Sequence, residues 1–287
     1  PVSQRANSDP GRRLCFVTCR RVNRLLAAFV LCALQWTLGT SGLEAAEMTA
    51  EEVSALLAAA SREAPPDLSS RDLSGLDLSG LDFKAGNLRS ADLTGAKLSR
   101  ANLQGVALQR AKLVGADLSE ANLDLAILRE ADLTGAKLRG VSAFSTVLAE
   151  TDLREADLSG ARLVCNLERA DLTGANLSGA KMSADMKNQP MGLMRVSLKK
   201  AKLAGANLSG ADLSRGLLEF ADFTGANLSG ANLMRAEAAG ADFSGADLSG
   251  AIFRKTDVQD ARFRNIKGLE KIIDIDTAQN LETAIFD

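Results

Sequence analysis

From Leu68 onward, large apolar residues recur at every fifth position: Leu68, Leu73, Leu78, Phe83, Leu88 and so on without a break to Leu163. A second block is centred on Leu167, Leu172, Leu177 and Met182, and a third runs from Leu198 to Phe263. Only Ala143 and Ala238 among these centres are small. Ala commonly stands two positions before the centre, as at Ala91, Ala96, Ala101, Ala111 and Ala116. Asp, Asn or Lys precedes the centre, Ser or Thr usually follows it, and Gly is frequent after that. A period of five matches neither a strand nor an α-helix, whose side chains repeat every 2 and 3.6 residues. It matches a chain that bends once per pentad and sends one large and one small side chain inward from each short side. Four sides close a square lap of about twenty residues, and laps stack ~4.8 Å apart through backbone hydrogen bonds. The pentads supply about 9.5 laps, a rod ~45 Å long. Gly at the pentad end suits a corner with positive φ. Where Arg100, Arg110 or Glu120 stands there instead, the sequence predicts a different turn.

Unrolling the laps gives four faces, numbered from the centres Leu68, Leu73, Leu78 and Phe83. The outward position of face three then reads Asp77, Lys97, Asp117, Lys137, Asp157, Asn176, Asn207, Asn227, Asp247. That of face two reads Asp72, Asp92, Lys112, Asp132, Asp152, Asp171, Lys202, Asp222, Asp242, Arg262. Cations and amides between the carboxylates relieve repulsion along each column. Inside, Phe223, Phe243 and Phe263 share face two and are expected to stack. Faces four and one differ. Ala107, Ile127, Val147 and Leu217 hold outward positions on face one, and Leu125, Phe144 and Val164 accompany face four. The repeat is disturbed near the same corner: one residue is lost between Leu163 and Leu167, and eleven are inserted at 185–195. The insertion is Met-rich, and Met adapts to partner surfaces. Leu125, Ile127, Phe144, Val147, Val164, Met186, Met191, Leu193 and Met194 are therefore the candidate partner surface. The alternative is that the loop packs on this stripe and closes it. Ala143 beside Phe144 also allows a bulge that turns the ring inward.

The tandem A-(D/N)-L-(S/T)-G motif over residues 66–265 resembles the pentapeptide-repeat family. That resemblance implies an all-β solenoid, a right-handed quadrilateral parallel β-helix of about 9–10 laps. It also implies little about role, because the family is defined by shape. Its best-understood members mimic B-form DNA and protect type II topoisomerases, and several dimerise through the C-terminal end.

Residues 46–64 read as a short helical cap. Thr49 and Glu52 form a capping box, Val53, Leu56, Leu57 and Ala60 form an apolar face over Met48 to Arg62, and Pro65-Pro66 stops the helix. After Phe263 the pentads decay, and 266–287 reads as a C-terminal cap or a homodimer seam. Ahead of the cap, six arginines precede an apolar run from Leu25 to Leu38, followed by small residues. This is the build of a signal peptide over 1–45, which implies a periplasmic or extracellular protein. The alternative is a retained signal-anchor, with residues 25–43 holding the chain in the inner membrane.

Composition narrows the chemistry. The 287 residues contain no His, which removes His-based triads, bases and metal sites. Net charge is −2 and gives no sign of nucleic-acid binding. Asp and Ser occur at repeat positions facing solvent, with no expected pocket between them. Cys165 is the one cysteine beyond the N-terminal segment, a packing residue or else a reactive thiol. No catalytic residue, cofactor or metal is expected. The sequence thus reads as an exported, non-catalytic scaffold or protein-interaction module of unknown partner. The alternative is a topoisomerase-protecting DNA mimic.

Overall fold

The computed structural model describes residues 48–184 and 194–286. The expected signal segment lies outside them, as do Met186, Met191 and Leu193. Within the described residues the chain is a right-handed quadrilateral β-helix.

One pentad explains the fold by a full accounting of its backbone donors. The Asp92 N–H reaches back to Arg71 O in the preceding lap at 2.9 Å, and the Leu93 N–H reaches forward to Lys112 O at 2.7 Å. The Gly95 N–H also goes forward, to Val114 O at 2.9 Å, and the Ala96 N–H closes the turn onto Leu93 O at 3.0 Å. That leaves Thr94, whose N–H neither lap can take; Asp92 Oδ1 accepts it at 3.0 Å. Hence the preference for Asp or Asn before the centre. A short side chain there accepts from the backbone two residues on, as Asx turns do.

Parallel bridges connect residues one lap apart, such as Asp77↔Lys97↔Asp117↔Lys137 and Asp72↔Asp92↔Lys112. The four-sided lap of twenty and both outward columns are therefore as the periodicity predicts. Inward Leu and Ala form a single core running the length of the solenoid. Phe223, Phe243 and Phe263 stack with centroids 5.1 Å apart, and Phe286 extends the column by another 5.1 Å.

The corners correct one expectation. Arg100, Arg110 and Glu120 have φ of 57°, 58° and 60°, the same left-handed backbone as the glycines. The ladder imposes it. The Arg100 N–H must meet Ser119 O and the Glu120 N–H must meet Arg139 O, and only this corner aims them there. Described pentads turn in this way except those centred on Leu163 and Met182.

At the start, α1 (Ala50–Ala59) puts Val53 and Leu57 onto the first lap, and Thr49 and Glu52 form a reciprocal capping box. The helix ends before Arg62: Ala60 is already extended, and its carbonyl accepts from Lys84 Nζ at 2.9 Å.

At the other end the pattern does not decay; its period changes. Gly268, Asp274 and Asn280 each take a left-handed backbone and open a 3-10 turn, at Leu269–Lys271, Ile275–Thr277 and Leu281–Thr283. Three sides of the last lap thereby gain a residue each. Bridges run Asp247↔Lys267, Ile252↔Ile273, Asp257↔Gln279 and Arg262↔Ile285, with offsets of 20, 21, 22 and 23.

Candidate functional site

Three of the four faces present hydrogen-bonded and ion-paired columns. On face three Lys97 Nζ lies 3.5 Å from Asp77 Oδ2, and Asn176, Asn207 and Asn227 pass an amide ladder along the rod at 3.0–3.2 Å. On face two Lys112, Lys202 and Arg262 pair with Asp92, Asp171 and Asp242 at 3.3–3.6 Å. Such exposed pairs each contribute only ~0.2–1 kcal/mol, so they set surface character rather than stability. The hydroxyl and then the N–H of Ser79 and Ser119 hold the carboxyls of Asp77 and Asp117 below the usual carboxylate range.

Between faces four and one the surface is apolar. Ala107, Ile127 and Val147 bridge in sequence along face one. Leu125 sits at the corner beside them, 54% exposed, and Ile127 is 37% exposed. Val147 and Phe144 are half-buried. The lane stops where Asn166 follows Val147, and Leu217 lies two laps further on, beyond Ser197.

The lost residue shapes this corner. Strand β1 (Ser142–Val147) pairs in parallel with β2 (Arg162–Asn166), with partners Phe144↔Val164 and Val147↔Asn166. Two residues of β1, Ser145 and Thr146, therefore oppose Cys165 alone, a bulge that absorbs the deletion. Phe144 is held in place from both sides. Its N–H donates to Asp124 Oδ1 at 2.8 Å, and the Arg162 guanidinium lies 4.9 Å above its ring. The ring stays at the surface while Ala143 fills the centre. Val164 is a correction: it is buried, because the shortened corner draws Leu163, Val164 and Cys165 inward together. Met194 is half-buried. Burial pushes the Cys165 thiol up to about 12, which leaves it protonated and unreactive at neutral pH.

Sequence reasoning missed Phe220, at 63% the most exposed of the large apolar residues described. The signal was present. Phe220 and Leu125 are the two bulky apolar residues at the fifth position of a pentad, where Gly, Ser or a charged residue stands in most others.

Comparison with known proteins bears on this geometry. The profile for pentapeptide repeats matches in eight copies, over residues 67–100, 101–140, 165–184, 193–230 and 231–267. The chain belongs to the pentapeptide-repeat family. HetL of the cyanobacterium Nostoc sp. strain PCC 7120, a pentapeptide-repeat protein involved in heterocyst differentiation regulation, is similar at 30% identity and a TM-score of 0.58. The match covers 81% of this chain and 94% of HetL. QnrB1, a plasmid-mediated fluoroquinolone resistance protein, is 19% identical with a TM-score of 0.37, covering 76% of this chain and 92% of its own. A pentapeptide-repeat protein of the Arabidopsis thaliana thylakoid lumen is 31% identical over 51% of this chain and 70% of its own, with a TM-score of 0.17. No curated protein matches the chain. Membership accounts for the laps and columns. The apolar lane and Phe220 are departures from the repeat that defines this pentapeptide-repeat chain.

Proposed function

We propose that the protein is an exported, non-catalytic scaffold that holds a protein partner against the lane formed by Leu125, Ile127, Phe144 and Val147. The observation that carries this reading is the exposure of Leu125 and Ile127 side by side in a lane flanked by faces of paired charges and amides. Apolar contacts supply most of the energy at protein interfaces, and a rigid surface loses little entropy on docking. The Met-rich insertion at 185–195 is assigned to the same partner on its composition alone. Export rests on the basic and apolar N-terminal pattern, which lies outside the described residues. Among the described residues no helix is long and apolar enough to cross a membrane.

The DNA-mimic reading is less well supported. A duplex presents one negative charge per ~1.7 Å of axis. Here Lys97, Lys137, Lys112, Lys202 and Arg262 interrupt the acidic columns of faces three and two.

The test has two parts. Cell fractionation with an epitope at the C-terminus should find a processed chain outside the cytoplasm; an unprocessed cytosolic chain would remove the export reading. In-cell crosslinking from a photoreactive residue at position 107 should give a defined adduct. The double variant Leu125→Asp, Ile127→Asp should lose it, with the thermal midpoint unchanged.

A further inference from the structure

Phe220 carries two costs at once. Its ring is mostly in water, and its backbone is left-handed at φ 59°, which disfavours a bulky L-residue. The ladder accounts for the backbone, since Lys200 one lap below holds the same corner with φ 57°, but that exposed lysine shows that the corner does not call for an aromatic ring. The Cδ1–Cε1 edge of the ring crowds Gly240, so close that a Cβ there would stand 2.6 Å from both carbons. It walls a groove of about 450 Å³ whose other polar lining is Asp222, Thr224, Asp242, Asp260 and Arg262.

The charges in this groove do not balance. Asp222 and Asp242 are bridged neighbours, like charges stacked directly. Arg262 Nη1 pairs with Asp242 Oδ2 at 3.4 Å. Lys202, on the other side of Asp222, is engaged by Asp171 at 3.3 Å. The Asp260 carboxylate accepts from a neutral donor, Gln259 Nε2, at 3.4 Å, while its backbone N–H donates to Thr283 Oγ1. Three carboxylates and one guanidinium leave an excess of negative charge beside an exposed aromatic face. A cation laid on such a face is attracted by the ring quadrupole, and nearby carboxylates add to that attraction.

We infer that the Phe220 groove receives a guanidinium or ammonium side chain from a basic segment of a partner protein. The cation stacks on the Phe220 ring and is held by Asp222 and Asp260. The groove lies at the corner between faces one and two, so the inference does not rest on the Leu125 lane.

The test is fluorescence anisotropy on the full chain with a labelled octapeptide of alternating Gly and Arg, with the Gly-Glu octapeptide and cellohexaose as comparison probes. The Gly-Arg peptide should bind and the other two should not. Phe220→Leu keeps an apolar side chain without the ring and should weaken binding about five- to tenfold. Asp222→Asn should weaken it similarly, and Asp77→Asn on face three should leave it unchanged. Phe220→Gly suits the left-handed corner, so it should lose the peptide without lowering the thermal midpoint. Equal binding by wild type and Phe220→Leu, or equal losses in Asp77→Asn and Asp222→Asn, would mean diffuse charge attraction and overturn the inference. So would no binding by the wild type, or preferential binding of cellohexaose. A lowered midpoint in Phe220→Gly would assign the ring to packing.

Discussion

A side chain in the left-handed region costs ~1–2 kcal/mol, yet arginine, glutamate, serine and lysine occupy it at corner after corner of this solenoid. The ladder decides: nearly every corner N–H before the last lap is bonded to the next lap, and losing that bond would cost a similar amount at each step. Two glycine substitutions separate backbone strain from crowding. Gly135 has φ 65° and nothing within 4 Å of an added Cβ, so Gly135→Ala should cost about 1 kcal/mol. Gly268, at φ 71°, would bring a Cβ to 2.8 Å from Ser249 Cα, so Gly268→Ala should cost roughly 2–3 kcal/mol. Urea melts of the two variants check the order. The aspartates add a pH dependence. The N–H and then the hydroxyl of Ser74 and Ser249 lower the carboxyls of Asp72 and Asp247, as Ser79 and Ser119 do for Asp77 and Asp117. A carboxyl lowered in the folded state stabilises it fully above the ordinary value of about 4 and ceases to as pH falls through the lowered value. The thermal midpoint should therefore fall once the pH drops below about 4, as calorimetry across pH 2–7 would show.

Among the elements, the Phe column shows how far a pentad can be read. Phe223, Phe243 and Phe263 stand one lap apart in the sequence, which alone requires them to stack. The edge contacts that Phe253 makes with Phe243 and Phe263, at 5.7 and 5.8 Å, depend on ring rotations the spacing does not specify. Phe243 touches three rings, so Phe243→Ala should cost roughly 3–5 kcal/mol, measured by chemical denaturation. The bulge was half legible. A spacing of four between Leu163 and Leu167 shows that a corner is short, but not that Ser145 and Thr146 compensate from the lap before. Thr146 joins the core because its Oγ1 donates to Leu123 O at 2.8 Å, a partner visible only once laps are stacked. The six-residue sides were written in Gly268, Asp274 and Asn280 and in Leu269, Ile275 and Leu281. Three repeats of half-exposed residues are too few to stand out as a period.

At the scale of the whole molecule, α1 covers the first lap and the widened lap covers the last. The second cover satisfies the backbone: Leu248, Phe253, Val258 and Phe263 donate their N–H groups to Lys267, Ile273, Gln279 and Ile285. A chain cut after Asn265 would leave these donors on an open edge, which recruits other chains. It should self-associate into larger species than the full chain, as light scattering at matched concentration would reveal. Widening has a further effect. Because three sides of the last lap have six residues instead of five, its rim no longer matches the outline of a five-residue square. A strand arriving with the ordinary spacing would meet one side in step and drift out by the fourth. The same few residues that close the core thus act as a stop codon written in geometry: they put open-ended growth by like-on-like addition out of register without any bulky obstacle.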